Sequence, residues 1–80
     1  MNEASDKYGA KLIGMRLESG LKDVGMSEEE LASRIGMSVF SVRSWIRGKA
    51  RMTIDTAAAI CDVLGKPLDW LARRDEQGAA

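Results

Sequence analysis

Eighty residues suffice for one compact domain and not for two, and one cysteine (Cys61) with no histidine excludes an internal disulfide and a Cys/His zinc site. Twelve Lys/Arg and twelve Asp/Glu cancel to a formal charge of zero, so bulk charge does not mark a nucleic-acid binder, but its distribution is uneven. Residues 1–30 hold four basic against seven acidic side chains (−3) and residues 55–80 three against five (−2), while 31–54 hold Arg34, Arg43, Arg47, Lys49 and Arg51 and no acid (+5), a segregation that describes one face of a molecule.

The start, MNEASDKYGA, lacks the basic and apolar regions of a signal peptide, and the longest apolar run, Ala57 to Cys61, is far short of the about 20 residues a membrane span needs. The expectation is a cytoplasmic protein without a membrane partner, in which Cys61 packs as a small apolar side chain. A chain this short buries only about 60% of its unfolded surface, so a partner subunit would help it.

Apolar residues follow helical spacing, with no strand alternation and no internal repeat. A first helix is predicted from about Asp6 to Val24, with Ile13, Leu17, Leu21 and Val24 facing inward. Gly9, Gly14 and Gly20 each weaken it by about 1 kcal/mol relative to alanine. Ser27-Glu28-Glu29-Glu30 is a capping box that opens a second helix: Ser27 accepts from the Glu30 amide, the Glu30 carboxylate reaches back to the Ser27 amide, and three carboxylates complement the helix dipole. Leu31 and Ile35 face inward, and Gly36 ends the helix.

Only Gly36 and Met37 separate it from a third helix, capped by Ser38 and running to about Arg47 before Gly48. Thr53 caps a fourth helix with Ile54, Ala57, Ile60, Cys61 and Leu64 inward and Gly65 at its end. Pro67 fits the first turn of a fifth, anchored by Leu68 and Leu71.

On the third helix Val42, Trp45 and Ile46 share the buried face. Phe40, Arg43, Ser44 and Arg47, at i, i+3, i+4 and i+7, form the opposite, exposed stripe. Arginine offers two parallel donors that fit guanine O6 and N7, serine bonds base edges or phosphate, and a phenylalanine edge touches a thymine methyl. A charged stripe on a lone helix is more often simply solvated, so the helix before it matters.

Glu28 to Lys49, EEELASRIGMSVFSVRSWIRGK, resembles the helix-turn-helix of the lambdoid-repressor and Cro-like (XRE-type) family. Ala32 stands where the two helices touch, Gly36 is the turn glycine, and Leu31, Ile35, Met37, Val42 and Trp45 occupy the family's apolar positions. Thr53 to Leu71 looks like its fourth and fifth helices, so the likeness covers about Lys7 to Leu71. It implies an all-α, five-helix, lambda-repressor-like domain spanning 1–80, with its core at about 7–72 and its helix-turn-helix in helices 2 and 3.

The resemblance further implies that the third helix lies in the major groove of double-stranded DNA. The base-reading candidates are then Val39, Phe40, Arg43 and Ser44, with Arg47 at base or phosphate. Lys49 and Arg51 are placed to meet the backbone, and Ser38 adds an amide and a hydroxyl there. Two positions depart from the family. Glu28 stands where a glutamine often approaches phosphate, and a carboxylate would repel it. Val39-Phe40 replaces polar residues at the start of the reading helix and could equally meet protein.

The expected function is a Cro- or XRE-type transcriptional repressor, acting as a homodimer on a palindromic operator in a bacterial or phage-infected cell. Leu68, Trp70, Arg73 and Arg74 form the candidate dimer seam, with edge-of-core packing and, least favoured, a ligand contact as the other readings of Trp70. No cofactor, metal, small-molecule ligand or enzymatic activity is expected. The rival is a protein-interaction module on the same fold, an anti-repressor or an antitoxin-like partner binder.

Overall fold

The structure, a computed structural model, describes residues 9–72; the predicted helix start at Asp6 and the seam residues Arg73 and Arg74 lie outside them. The described chain forms five helices and no strand: α1 (Ala10–Val24), α2 (Glu28–Ile35), α3 (Val39–Ile46), α4 (Ile54–Leu64) and α5 (Leu68–Ala72). None of these helices is long and apolar enough to cross a membrane.

Short-range chemistry fixes the boundaries. The side-chain oxygens of Ser27, Ser38 and Thr53 accept from the amides of Glu30, Ser41 and Thr56 at 3.0, 3.1 and 3.2 Å, so α2, α3 and α4 all start on a satisfied cap. The other half of the predicted capping box differs, because the Glu30 carboxylate accepts from Arg34 at 2.9 Å, one turn on. Gly36 closes α2 at φ +71°, and the Met37 amide donates back to the Ala32 carbonyl at 3.0 Å. That left-handed residue reverses the chain within the two residues between the helices.

Leu17 and Leu21 of α1, Leu31 and Ala32 of α2, Val42 and Trp45 of α3, Ala57, Ile60, Cys61 and Leu64 of α4 and Leu71 of α5 make one core. α3 packs against both α1 and α2, and α4 bridges α2 and α5. Two predicted inward residues are turned out: Val24 is 44% and Ile54 63% exposed. Val24 is the last residue of α1 and Ile54 the first of α4, so each continues its apolar stripe past the point where another helix covers it. Met37, in the turn, is also exposed.

Two α1 glycines are contact points, not mere weak points. A Cβ on Gly14 would run into the carbonyl oxygen of Trp45 and lie 2.5 Å from that of Ile46; one on Gly20 would lie 2.5 Å from Cη2 of Trp70. The first glycine lets α1 touch the backbone of α3's last turn, and the second lets the Trp70 ring lie on α1.

Candidate nucleic-acid interface

The exposed side of α3 carries the predicted stripe. Phe40 is 75% exposed, Arg47 is exposed, and Arg43 and Ser44 are half-exposed. Val39 differs from the other reading candidates, because it is half-buried and packs against the core. Ser38 is exposed, but its hydroxyl is engaged: it caps α3 and donates to Ser41 Oγ at 3.1 Å. Its backbone amide remains the group suited to a phosphate.

At the end of α3, Gly48 turns the chain at φ +72°, and a Cβ there would lie 2.9 Å from the Cα of Lys11. The loop thus rests on the first turn of α1. Gly9, Ala10 and Lys11 line one open groove together with Gly48, Lys49, Ala50 and Arg51. Sequence reasoning does not single out Lys11, because it lies in the acidic first third of the chain. Folding carries it to the basic segment. Lys11, Arg47 and Lys49 have no ion-pair partner among the described residues.

Arg43 is held differently. Its Nε donates to Glu28 Oε1 at 2.9 Å and its Nη2 to Glu29 Oε2 at 2.8 Å, with 41% of the side chain still exposed. The hydrogen bond to Glu28 leads the causes that raise the guanidinium pKa above its ordinary value. Glu28 therefore does not face the solvent as a lone charge. It bridges the first turn of α2 to the exposed face of α3.

Two adjoining helices of eight residues, set by a tight glycine turn with the second presenting a polar stripe, form a helix-turn-helix. The pattern of the helix-turn-helix family matches residues 17–71. The chain belongs to the XRE-type helix-turn-helix family. Proteins of this family bind double-stranded DNA and regulate transcription.

Solved structures of similar fold include the clp gene regulator ClgR from Corynebacterium glutamicum, 27% identical, with a TM-score of 0.75 over 78% of this chain and 67% of that one. The restriction-modification controller protein C.AhdI from Aeromonas hydrophila is 22% identical, with a TM-score of 0.74 over 78% of this chain and 94% of that one, a likeness of fold alone. Hydroxypropylphosphonic acid epoxidase from S. wedmorenis is 25% identical, with a TM-score of 0.75 over 82% of this chain but only 35% of its own. The helix-turn-helix fold thus also occurs as a minor part of an enzyme chain. No curated protein sequence matches this chain closely enough to count as a relative.

The candidate dimer seam on α5 is less open than the sequence implies. The Trp70 ring sits over Gly20 beside Leu64, and Lys66 Nζ lies 5.2 Å from its centroid. Trp70 and Leu68 are both half-buried and pack on the core, so the candidate seam offers ring edge and partly covered leucine rather than a projecting indole. Arg16 Nη1 donates to the Leu71 carbonyl at 3.3 Å and secures α5 to α1.

Proposed function

We propose that this chain is a Cro-like transcriptional repressor that places α3 in the major groove of a near-palindromic operator as a homodimer. The observation that carries the reading is spatial. The stripe Phe40, Arg43, Ser44 and Arg47 ends at the groove that gathers Lys11, Lys49 and Arg51. In the proposed complex Phe40, Arg43 and Ser44 meet base edges, with Val39 contributing only its exposed edge, and Arg47 bridges to the backbone.

Lys11, Lys49, Arg51 and the amide of Ser38 would meet phosphate. Two copies are invoked because one short reading helix offers few base contacts, and doubling it doubles the readout. A seam at α5 would use the exposed edges of Leu68 and Trp70, and the protein would then act in the cytoplasm on DNA, without a cofactor.

Phe40 favours a second reading, since a phenylalanine 75% exposed is also what a protein-binding face would show. Selection from a randomised duplex pool, followed by binding titrations, separates the two. Sequence enrichment is expected. Arg43→Ala should then flatten the preference at one base pair, whereas Lys49→Ala should weaken cognate and scrambled duplexes alike and reduce the salt slope by about 1. No enrichment, with no loss of binding in either variant, would point to the protein-binding reading.

A further inference from the structure

Among the described residues of the reading stripe, Arg43 is the one whose side chain is ion-paired, and both of its partners lie in the first turn of the other helix of the motif. Which part of the guanidinium they use matters. The group is planar, with five N–H donors in a fixed fork. Nε–H and one Nη2–H form the side edge, and Glu28 and Glu29 accept from Nε and Nη2, at 2.9 and 2.8 Å. Nη1 takes neither carboxylate, and with the Nη2–H on its side it forms the end edge. Those two parallel donors are the pair that fits guanine O6 and N7.

We propose that Glu28 and Glu29 are positioning residues that grip Arg43 by its side edge and present its end edge to a guanine. The first turn of α2 thereby sets base preference through a residue of α3. This rests on the DNA-reading function proposed above.

Two physical effects support it. An arginine free in solvent must fix several side-chain torsions on docking, whereas one gripped from two sides has largely fixed them already. The grip also changes the local field. Two carboxylates and one guanidinium leave the cluster formally at −1 beside the place where a phosphate would approach α2, and repulsion there weakens contact with any sequence. A contact of correct geometry is kept while indiscriminate attraction is lowered, and the ratio of the two is what specificity means. Glu30 stands apart from this arrangement, because its carboxylate is turned to Arg34 at 2.9 Å.

The test uses the full chain and duplexes enriched by the wild-type protein from a randomised pool, with a scrambled duplex beside them. In Glu28→Ala/Glu29→Ala, affinity for the scrambled duplex should rise, and the preference for guanine over the other bases at the Arg43 position should fall about fivefold or more, the low end of a good bidentate contact. Glu28→Gln/Glu29→Gln keeps an acceptor oxygen on each side chain and removes both charges. It should raise scrambled affinity as well but retain most of the preference. In an Arg43→Ala background the alanine pair should leave the remaining base preferences unchanged.

Circular dichroism melts confirm that each variant is folded at the assay temperature, since Ser27 still caps α2. An unchanged guanine preference in the alanine pair overturns the proposal. So does a gain for the enriched duplex larger than that for the scrambled one, which would make the carboxylates competitors that DNA must displace. Failure of the wild-type chain to enrich any sequence overturns the DNA-reading function itself, and the proposal with it.

Discussion

Gly14→Ala tests the packing that seats the reading helix. At an exposed helical position this change would stabilise by about 1 kcal/mol through propensity. At Gly14 the new methyl would meet the Trp45 carbonyl oxygen, with the Ile46 oxygen at 2.5 Å and its carbonyl carbon at 2.9 Å. Ordinary contacts lie at about 3.5–4.0 Å, and these neighbours are backbone, which cannot rotate away as a side chain would. α3 must back off from α1 by roughly 1 Å, and because both neighbours are backbone the overpacking cost lies at the upper end of the usual range, about 3 kcal/mol. We expect a net loss of about 2 kcal/mol after the propensity gain, in a domain whose whole stability is about 4–12 kcal/mol. Such a loss lowers the melting temperature by about 8–16 °C at this size. Urea and thermal melts followed by circular dichroism, with Ser19→Ala as the exposed control on the same helix, provide the measurement. A Gly14→Ala variant as stable as its parent would refute the close α1–α3 seat and the position of the reading face built on it.

Trp45→Ala should cost about 3–5 kcal/mol, since the ring is only 5% exposed in the core beneath that face; a melt resembling the parent's would mean that the helix is rotated. Burial pushes the Cys61 thiol pKa up, so the folded state favours the protonated thiol; its contribution is complete below the ordinary thiol range near about pH 8.5 and is lost as pH rises above that range through the raised folded-state value. Urea midpoints from pH 7 to 10 should therefore fall more steeply in the parent than in Cys61→Ala, and equal slopes would contradict the burial. Trp70→Ala should lower stability by removing the ring from Gly20, and, if α5 is the seam, should also shift sedimentation from dimer to monomer; a stable dimer in that variant would move the seam elsewhere.

The caps and turns were legible in the sequence because their chemistry acts within three or four residues. Ser27, Ser38, Thr53 and Gly36 do in the structure what their local sequence predicts. The buried faces followed from periodicity wherever a partner helix covers the full stripe, as at Leu17, Leu21, Val42 and Ile60. Val24 and Ile54 escaped because periodicity carries no information on where that cover ends. Gly14 and Gly20 escaped for the opposite reason. Counted by propensity they weaken α1, and their use appears only once the Trp45 and Ile46 carbonyls and the Trp70 ring come to meet them. Helical spacing located the exposed stripe of α3, and the likeness of Glu28–Lys49 to a known helix-turn-helix suggested its role, but the pairing of Arg43 with Glu28 and Glu29 spans 15 and 14 residues and no local pattern encodes it.

That pairing also changes how a chain of zero net charge can meet a polyanion. The five basic side chains of 31–54 do not all reach DNA as free charges, since Arg34 is paired with Glu30, and Arg43 with Glu28 and Glu29. Arg47 and Lys49 remain, joined in space by Lys11 from α1, with Arg51 lining the same groove. Three or so phosphate contacts per copy correspond to a slope of log K against log salt of about −3 for one domain and about −5 to −6 for two. A single domain with so few contacts has little sequence-independent grip and few base contacts to add to it. Two copies on a two-fold site recover the affinity without adding charge, which is the physical case for the dimer. If the measured slope for the enriched duplex were much steeper, near about −8 or beyond, each copy would be neutralising more phosphates than these residues supply. Arg43 would then have left Glu28 and Glu29 for the backbone, and its role would be affinity rather than base reading.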